Sequence, residues 1–309
     1  MHAGQLTVSP ELVRALVDEQ FPDWRAAPIS RVPGTGTVNA IYRIGAELAA
    51  RFPLEPGEAE QARRGLLGEL AAARELFGRT PVPTPEPIAL GEPGAGYPLP
   101  WSVQTWLPGT VAIDADPGVS AAFALDLAEF VRAVRAIDAS GRTFDGVGRG
   151  GVLATHDAWL DVCFRESERL LDTAVLRAIW HDMRALPRGP APDVMSHGDL
   201  ISGNLLVANG RLAGVLDVGG FGPADPALDL VGAWHLLEAG PRRAFRERLG
   251  SADPEWQRGR AWAFQQAMGL VWYYAESNPV LSRIGRRTLD RVLADVRGSV
   301  SWDGGNECG

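Results

Sequence analysis

The apolar positions keep first a helical rhythm and then an alternating one. Pro10–Gln20 (PELVRALVDEQ) has helical spacing, with Ser9 placed as N-cap and Pro10 at the first helical position. Thr37–Ile44 (TVNAIYRI) alternates apolar with polar residues. Glu47–Phe52 (ELAARF) follows across a short turn at Gly45-Ala46, so the two segments predict a β-hairpin. Over 59–77 the apolar residues Leu66, Leu70, Ala73 and Phe77 recur at spacings of three and four, the stripe of an amphipathic helix.

A stretch rich in Pro and Gly, 80–100, surrounds a short strand near 87–90. Trp101–Leu107 (WSVQTWL) reads as a further strand, stopped by Pro108-Gly109. Beyond it the pattern predicts helices at roughly 119–138, 155–185, 226–249 and 254–298, interrupted by a compact strand-and-turn block at 193–218. The expectation is an α+β chain of two lobes. Residues 1–107 form a β-rich N-terminal lobe, residues 108–309 a mainly helical C-terminal lobe, and a hinge lies near 104–109. A length of 309 residues points the same way, since it exceeds what one hydrophobic core usually serves.

Charge and composition narrow the function. A net charge of -8 disfavours nucleic acid and anionic membranes as partners, because both reward clustered basic residues. All 30 basic residues are arginine, so any task that usually falls to lysine must fall to arginine here. The two cysteines, Cys163 and Cys308, are far apart and belong to no zinc-type spacing, which fits a reducing compartment. No leader pattern and no apolar run long enough for a membrane span is evident, so a cytoplasmic protein is expected.

The chemistry concentrates in Ser196-His197-Gly198-Asp199-Leu200-Ile201-Ser202-Gly203-Asn204, followed by two apolar runs that flank Asn209-Gly210 and end at Asp217. Phosphoryl transfer asks little covalent help of a protein. It needs an Asp to orient the attacking hydroxyl and accept its proton, and oxygen ligands to hold Mg²⁺ against the nucleotide phosphates. Asp199 and Asn204, five residues apart on a glycine-containing loop, and Asp217 after the Asn-Gly turn supply those types in that order. Each of them alone has an ordinary structural reading as a turn, cap or helix-start residue.

The string H-G-D-L-x-x-x-N, then L-D-x-G, then D-P-A-x-D-L resembles the aminoglycoside phosphotransferase family. The similarity extends to Gly34–Arg43, Tyr97–Gly109 and Tyr273–Pro279. It implies a protein-kinase-like fold with Asp199 as catalytic base, Asn204 and Asp217 as Mg²⁺ ligands, and His197 as a supporting loop residue. On the nucleotide side it implies a strand lysine paired with a helix glutamate, whereas the matching strand position here is Arg51. A guanidinium stays charged and grips phosphate oxygens in a fork, so the role remains open to it; the alternative is a surface strand residue.

Glu69 lies on the edge of the apolar stripe beside Leu66, Leu70 and Ala73, which makes it the expected partner of Arg51; the alternative is a solvated flank charge. Gly34, Thr35, Gly36 and Thr37 suit phosphate contact through backbone N–H groups, and equally a tight turn. Backbone groups of Gln104, Trp106 and Leu107 are expected at the purine edge. Asp225 reads as a helix N-cap ahead of Pro226, and Asp229 as a brace for the catalytic loop. Asp157, Trp159, Trp234, His235, Tyr273, Tyr274, Glu276 and Asn278 are candidates to line an acceptor pocket.

Together these features predict a kinase that moves the terminal phosphoryl group of ATP or GTP to a hydroxyl of a small molecule, with an antibiotic as the favoured acceptor. A kinase of an ordinary metabolite and a nucleotide-binding pseudokinase acting by interaction are the alternatives.

Overall fold

Ser9 caps the first helix as its residue type demands: its side chain accepts from the Leu12 N–H at the head of α1 (Pro10–Gln20). The computed structural model describes residues 4–33 and 38–300, with side chains to residue 297. Within it the chain divides into two compact units, Met1–Thr110 with Ala213–Phe221 and Val111–Leu212 with Gly222–Gly309.

The first unit holds a five-stranded antiparallel sheet in the order β1-β2-β3-β5-β4, built from β1 (Ile29–Arg31), β2 (Asn39–Ile44), β3 (Leu48–Pro53), β4 (Pro87–Gly91) and β5 (Trp101–Thr105). The predicted hairpin is β2–β3, in a register that sets Ile41 opposite Arg51. Alternation decides which face of β2 is buried: Ala40, Tyr42 and Ile44 point inward, and Asn39, Ile41 and Arg43 do not. The inward residues join Val13, Leu16 and Val17 of α1 with Phe52, Tyr97, Trp101 and Val103 in one core, where Phe52 and Trp101 stack at 4.7 Å. The second helix, α2 (Ala59–Leu76), buries Leu66, Leu70, Ala73 and Leu76; Phe77, which the stripe had included, is the C-cap and stays exposed. The short strand β1 has no counterpart in the sequence reading; three residues carry too little pattern to stand out.

The second unit is mainly helical. After β6 (Thr110–Val111) come α3 (Ala112–Ala115) and α4 (Ala121–Arg135), then α5 (Asp157–Glu166) and α6 (Thr173–Arg184). The strands β7 (Val194–Ser196), β8 (Leu205–Ala208), β9 (Arg211–Val215) and β10 (Gly222–Ala224) precede α7 (Gly232–Leu236), α8 (Ala239–Leu249), α9 (Asp253–Tyr273) and α10 (Pro279–Val300). β7 pairs antiparallel with β10. Asn209 and Gly210, both at positive φ (52° and 71°), turn the chain from β8 into β9 as an Asn-Gly pair does. No described helix is long and apolar enough to cross a membrane.

Helices expected to be continuous are broken, each for a local reason. The segment 155–185 divides because Asp172 caps α6, accepting from the Val175 N–H at 3.4 Å. The segment 226–249 becomes a 3-10 turn (Leu228–Val231), α7 and α8; extended Leu237 separates the two helices, and Gly240-Pro241 lies in the first turn of α8. The segment 254–298 breaks ahead of Pro279, where Asn278 accepts from the Leu281 N–H and starts α10. In between, α9 is buried on nearly every side, with Trp262, Phe264, Ala267 and Met268 fully enclosed.

Candidate active site

The loop after β7 is fixed from below by one buried carboxylate. Asp229, 1% exposed, accepts the His197 N–H at 2.8 Å on one oxygen and the Gly198 N–H at 2.8 Å on the other. Two charge-assisted bonds to successive amides hold the backbone where Gly198 adopts φ 83°, a conformation that costs glycine little. His197 is buried and accepts the Asp199 N–H on Nδ1 at 3.2 Å. Asp229, inside the turn Leu228–Val231, therefore braces the loop through hydrogen bonds, the role expected of it.

Above this base the Asp199 carboxylate is gripped on both oxygens. Oδ1 accepts from Arg149 Nη2 at 2.7 Å and from Gln266 Nε2 at 2.5 Å, while Oδ2 accepts from Asn204 Nδ2 at 2.9 Å. The same Asn204 nitrogen donates to the Asp199 carbonyl at 2.9 Å. A third of the Asp199 side chain remains exposed, so an incoming group can still reach it. Arg149 also donates to the Gly198 carbonyl.

Sequence reasoning missed Arg149 and Gln266. Both left a trace: Arg149 is the one cation in the glycine-rich run Gly146–Gly151, and Gln265-Gln266 is a polar pair inside the apolar-aromatic stretch of α9.

The first unit carries a second cluster. Arg51, facing out of β3 with 14% of its side chain exposed, donates to Asp217 Oδ1 at 2.7 Å. Asp217 sits in the left-handed region (φ 55°, ψ 52°) and is half exposed. Glu69 lies beside this pair; the Arg51 guanidinium donates to Asp217, and among the described ion pairs none joins it to Glu69. Loss of hydration pushes the Glu69 carboxyl above its ordinary pKa; Arg51 pulls it back and the Asp217 charge adds to the rise. Gly219 permits the approach, since a Cβ there would meet Glu69 Cγ at 2.7 Å.

Among the expected purine contacts, Gln104 lies inside β5 between β3 and β4. The Trp106 N–H is taken by the Glu47 carbonyl at 2.6 Å, and the Trp106 ring carries the Arg43 guanidinium at 4.8 Å. That N–H is therefore not open to a base edge, whereas Leu107 follows it outside the strand. Gly34, Thr35, Gly36 and Thr37 lie outside the described residues.

The profile of the phosphotransferase enzyme family matches residues 30–262. The chain belongs to that family. Over 82 residues it is 42% identical to an aminoglycoside 3'-phosphotransferase of Escherichia coli, a match that takes in 25% of this chain and spans 30% of the length of that curated relative.

Solved phosphotransferase structures share the fold over nine-tenths of the chain or more. A GDP complex of a mutant aminoglycoside 2'-phosphotransferase-IIIa has a TM-score of 0.71 at 18% identity, covering 94% of this chain and 99% of its own. A macrolide 2'-phosphotransferase from Brachybacterium faecium has a TM-score of 0.61 at 17% identity, covering 90% of this chain and 98% of its own. The α+β, kinase-like expectation thus stands.

Several expected pocket residues are instead buried or committed to partners within the chain. Trp234 is wholly buried and donates to Asp295; His235 is 4% exposed. Asp157 is spent on Arg184 and Trp180 Nε1, an arrangement led by the Arg184 hydrogen bond that holds its carboxyl below the usual range. Asp225, read as a helix N-cap, accepts from the Ala227 N–H but meets Arg258 through both oxygens at 2.9 Å, and no α-helix begins there. Trp159, Tyr273 and Glu276 are exposed, whereas Tyr274 and Asn278 are half-buried.

Proposed function

We propose that this phosphotransferase moves the γ-phosphoryl group of ATP or GTP to a hydroxyl of a small molecule, with an antibiotic as the acceptor class. The observation that carries the reading is the Asp199 carboxylate, oriented on both oxygens yet still open to solvent. Asp199 accepts the proton of the acceptor hydroxyl as that oxygen bonds to the γ-phosphorus. The bond from phosphorus to the bridging oxygen breaks, and the nucleoside diphosphate leaves with the electron pair. Arg51 offers the phosphates a fixed positive charge from the strand position where kinases use lysine.

Asn204 and Asp217 fit Mg²⁺ by donor chemistry. The Asn204 amide nitrogen is committed to Asp199, which leaves its carbonyl oxygen as the ligand atom, and Asp217 adds a carboxylate. No described cluster of three or more His, Cys, Asp or Glu would hold a metal alone. Mg²⁺ would neutralise phosphate charge there. A nucleotide donor is supported by the solved GDP complex, and an antibiotic acceptor by a neighbour solved with kanamycin and by the macrolide enzyme. The acidic net charge leaves nucleic acid an unsuitable partner.

The test is mass spectrometry of an antibiotic and metabolite panel incubated with the protein, Mg²⁺ and ATP or GTP. One acceptor gaining a phosphate, with turnover falling about a hundredfold or more in Asp199→Ala, is the expected result. Nucleotide binding with no acceptor modified across the panel would count against it.

A further inference from the structure

The hydrogen bond from Gln266 to Asp199 does not end at Gln266. Behind it Gln266 Oε1 meets His235 Nε2 at 3.1 Å, and His235 Nδ1 meets the Thr288 hydroxyl at 3.0 Å. All three side chains are buried: Gln266 is 8%, His235 4% and Thr288 0% exposed. We propose that Gln266, His235 and Thr288 form a directed hydrogen-bond chain that positions the Asp199 carboxylate to accept the acceptor proton. The proposal rests on Asp199 being the base.

The direction of the chain follows from valence. A carboxylate only accepts, so the amide nitrogen of Gln266 must face Asp199 and its oxygen must face the histidine. That oxygen needs a proton from Nε2. Burial, helped by the Arg149 charge, pushes the His235 pKa down to about 3, so the ring is neutral and has only one N–H to give. Nδ1 is then an acceptor, and the single Thr288 proton goes to it. The hydroxyl also lies within donating distance of the Ile284 carbonyl, at 2.9 Å, but a carbonyl four residues back in α10 has the Thr288 amide as its regular helical donor, whereas Nδ1 of the neutral ring would be left without one.

Every donor in the chain therefore points toward Asp199. Each bond polarises the next, and no member can reverse without leaving a buried donor or acceptor unpaired. Arg291 ties the middle of the chain in place by donating to the Trp234 and His235 carbonyls at 3.0 Å each. A base held this way keeps its free lone pair aimed at the acceptor before the acceptor arrives, which lowers the reorganisation needed in the transition state.

Nitrogen NMR of histidine-labelled protein, with turnover of the positional variants, tests the chain. His235 is expected as the neutral Nε2–H tautomer. The Nδ1–H tautomer or a protonated ring at pH 7 would overturn the proposal. Gln266→Leu should lower kcat about tenfold or more, while the nucleotide Kd stays within about twofold. Thr288→Val should lose a smaller factor, and Thr288→Ser should restore it.

Turnover is read on the acceptor from the panel, or as phosphate release from ATP to water. An inactive Asp199→Ala beside a fully active Gln266→Leu rejects the chain alone. An active Asp199→Ala removes the base and the chain together. Should Gln266→Leu fail to fold, Thr288→Val decides, and parental kcat in that variant rejects the chain.

Discussion

The carboxylates of Asp199 and Asp217 occupy opposite surroundings. Asp199 is held through both oxygens by Arg149, Gln266 and Asn204, on a loop whose amides are locked by Asp229. Asp217 is half exposed, stands on a left-handed residue, and gives one oxygen to Arg51. The contrast matches the two kinds of work proposed for them. A general base must be aimed before the acceptor arrives, and a fixed network does that. A ligand to a transient metal–nucleotide complex must exchange partners, and an exposed ion pair of modest strength permits it.

The largest effect expected from breaking this contrast is at the exposed member. Asp217→Ala should abolish Mg²⁺-dependent nucleotide binding; unchanged affinity by calorimetry would remove Asp217 from the metal site. Next comes the brace beneath Asp199. Asp229→Asn puts an amide NH₂ against a backbone N–H that needs an acceptor, and should lower stability by about 2–3 kcal/mol. It should also lower kcat more than it changes nucleotide Kd. Thermal unfolding together with steady-state kinetics checks both.

A third prediction uses acid. An ordinary histidine takes up its proton near pH 6.5, but the folded protein admits one at His235 only near 3. Between those values the unfolded chain binds the additional proton, so stability falls as pH drops through that window. His235→Asn should flatten the fall relative to its own stability at pH 7, as read by denaturant unfolding across pH 3–7. An unchanged slope would show that the ring does not remain neutral. The smallest effect is expected at Arg51. Arg51→Lys keeps a charge for the phosphates and should shift nucleotide Kd by no more than about tenfold. A larger loss would mean that the guanidinium fork itself is required.

The local signals in the chain were strong where short-range chemistry decides. Ser9 with Pro10, the alternation through β2, and the Asn209-Gly210 turn each impose their conformation on a few neighbours. Asp199, Asn204 and Asp217 stood out as candidates because phosphoryl transfer needs those residue types in that order, and the family resemblance supplied the roles proposed for them. Helix ends were not. A polar residue such as Asp172 reads equally as an exposed helical position or a cap, and packing selects between them.

Partnerships were decided only in three dimensions. Periodicity placed Glu69 on the right edge of α2 but could not foresee that Arg51 would turn to Asp217, 166 residues further along. Arg149 and Gln266 meet Asp199 across separations of 50 and 67 residues. A lone arginine among glycines and a glutamine in an apolar helix state only that a buried polar group needs a partner. The sequence determined what types of group had to be satisfied, because burial of an unpaired donor or charge is costly whatever the fold. Which groups satisfied one another depended on segments distant in sequence being brought side by side, and that is a property of the packed chain alone.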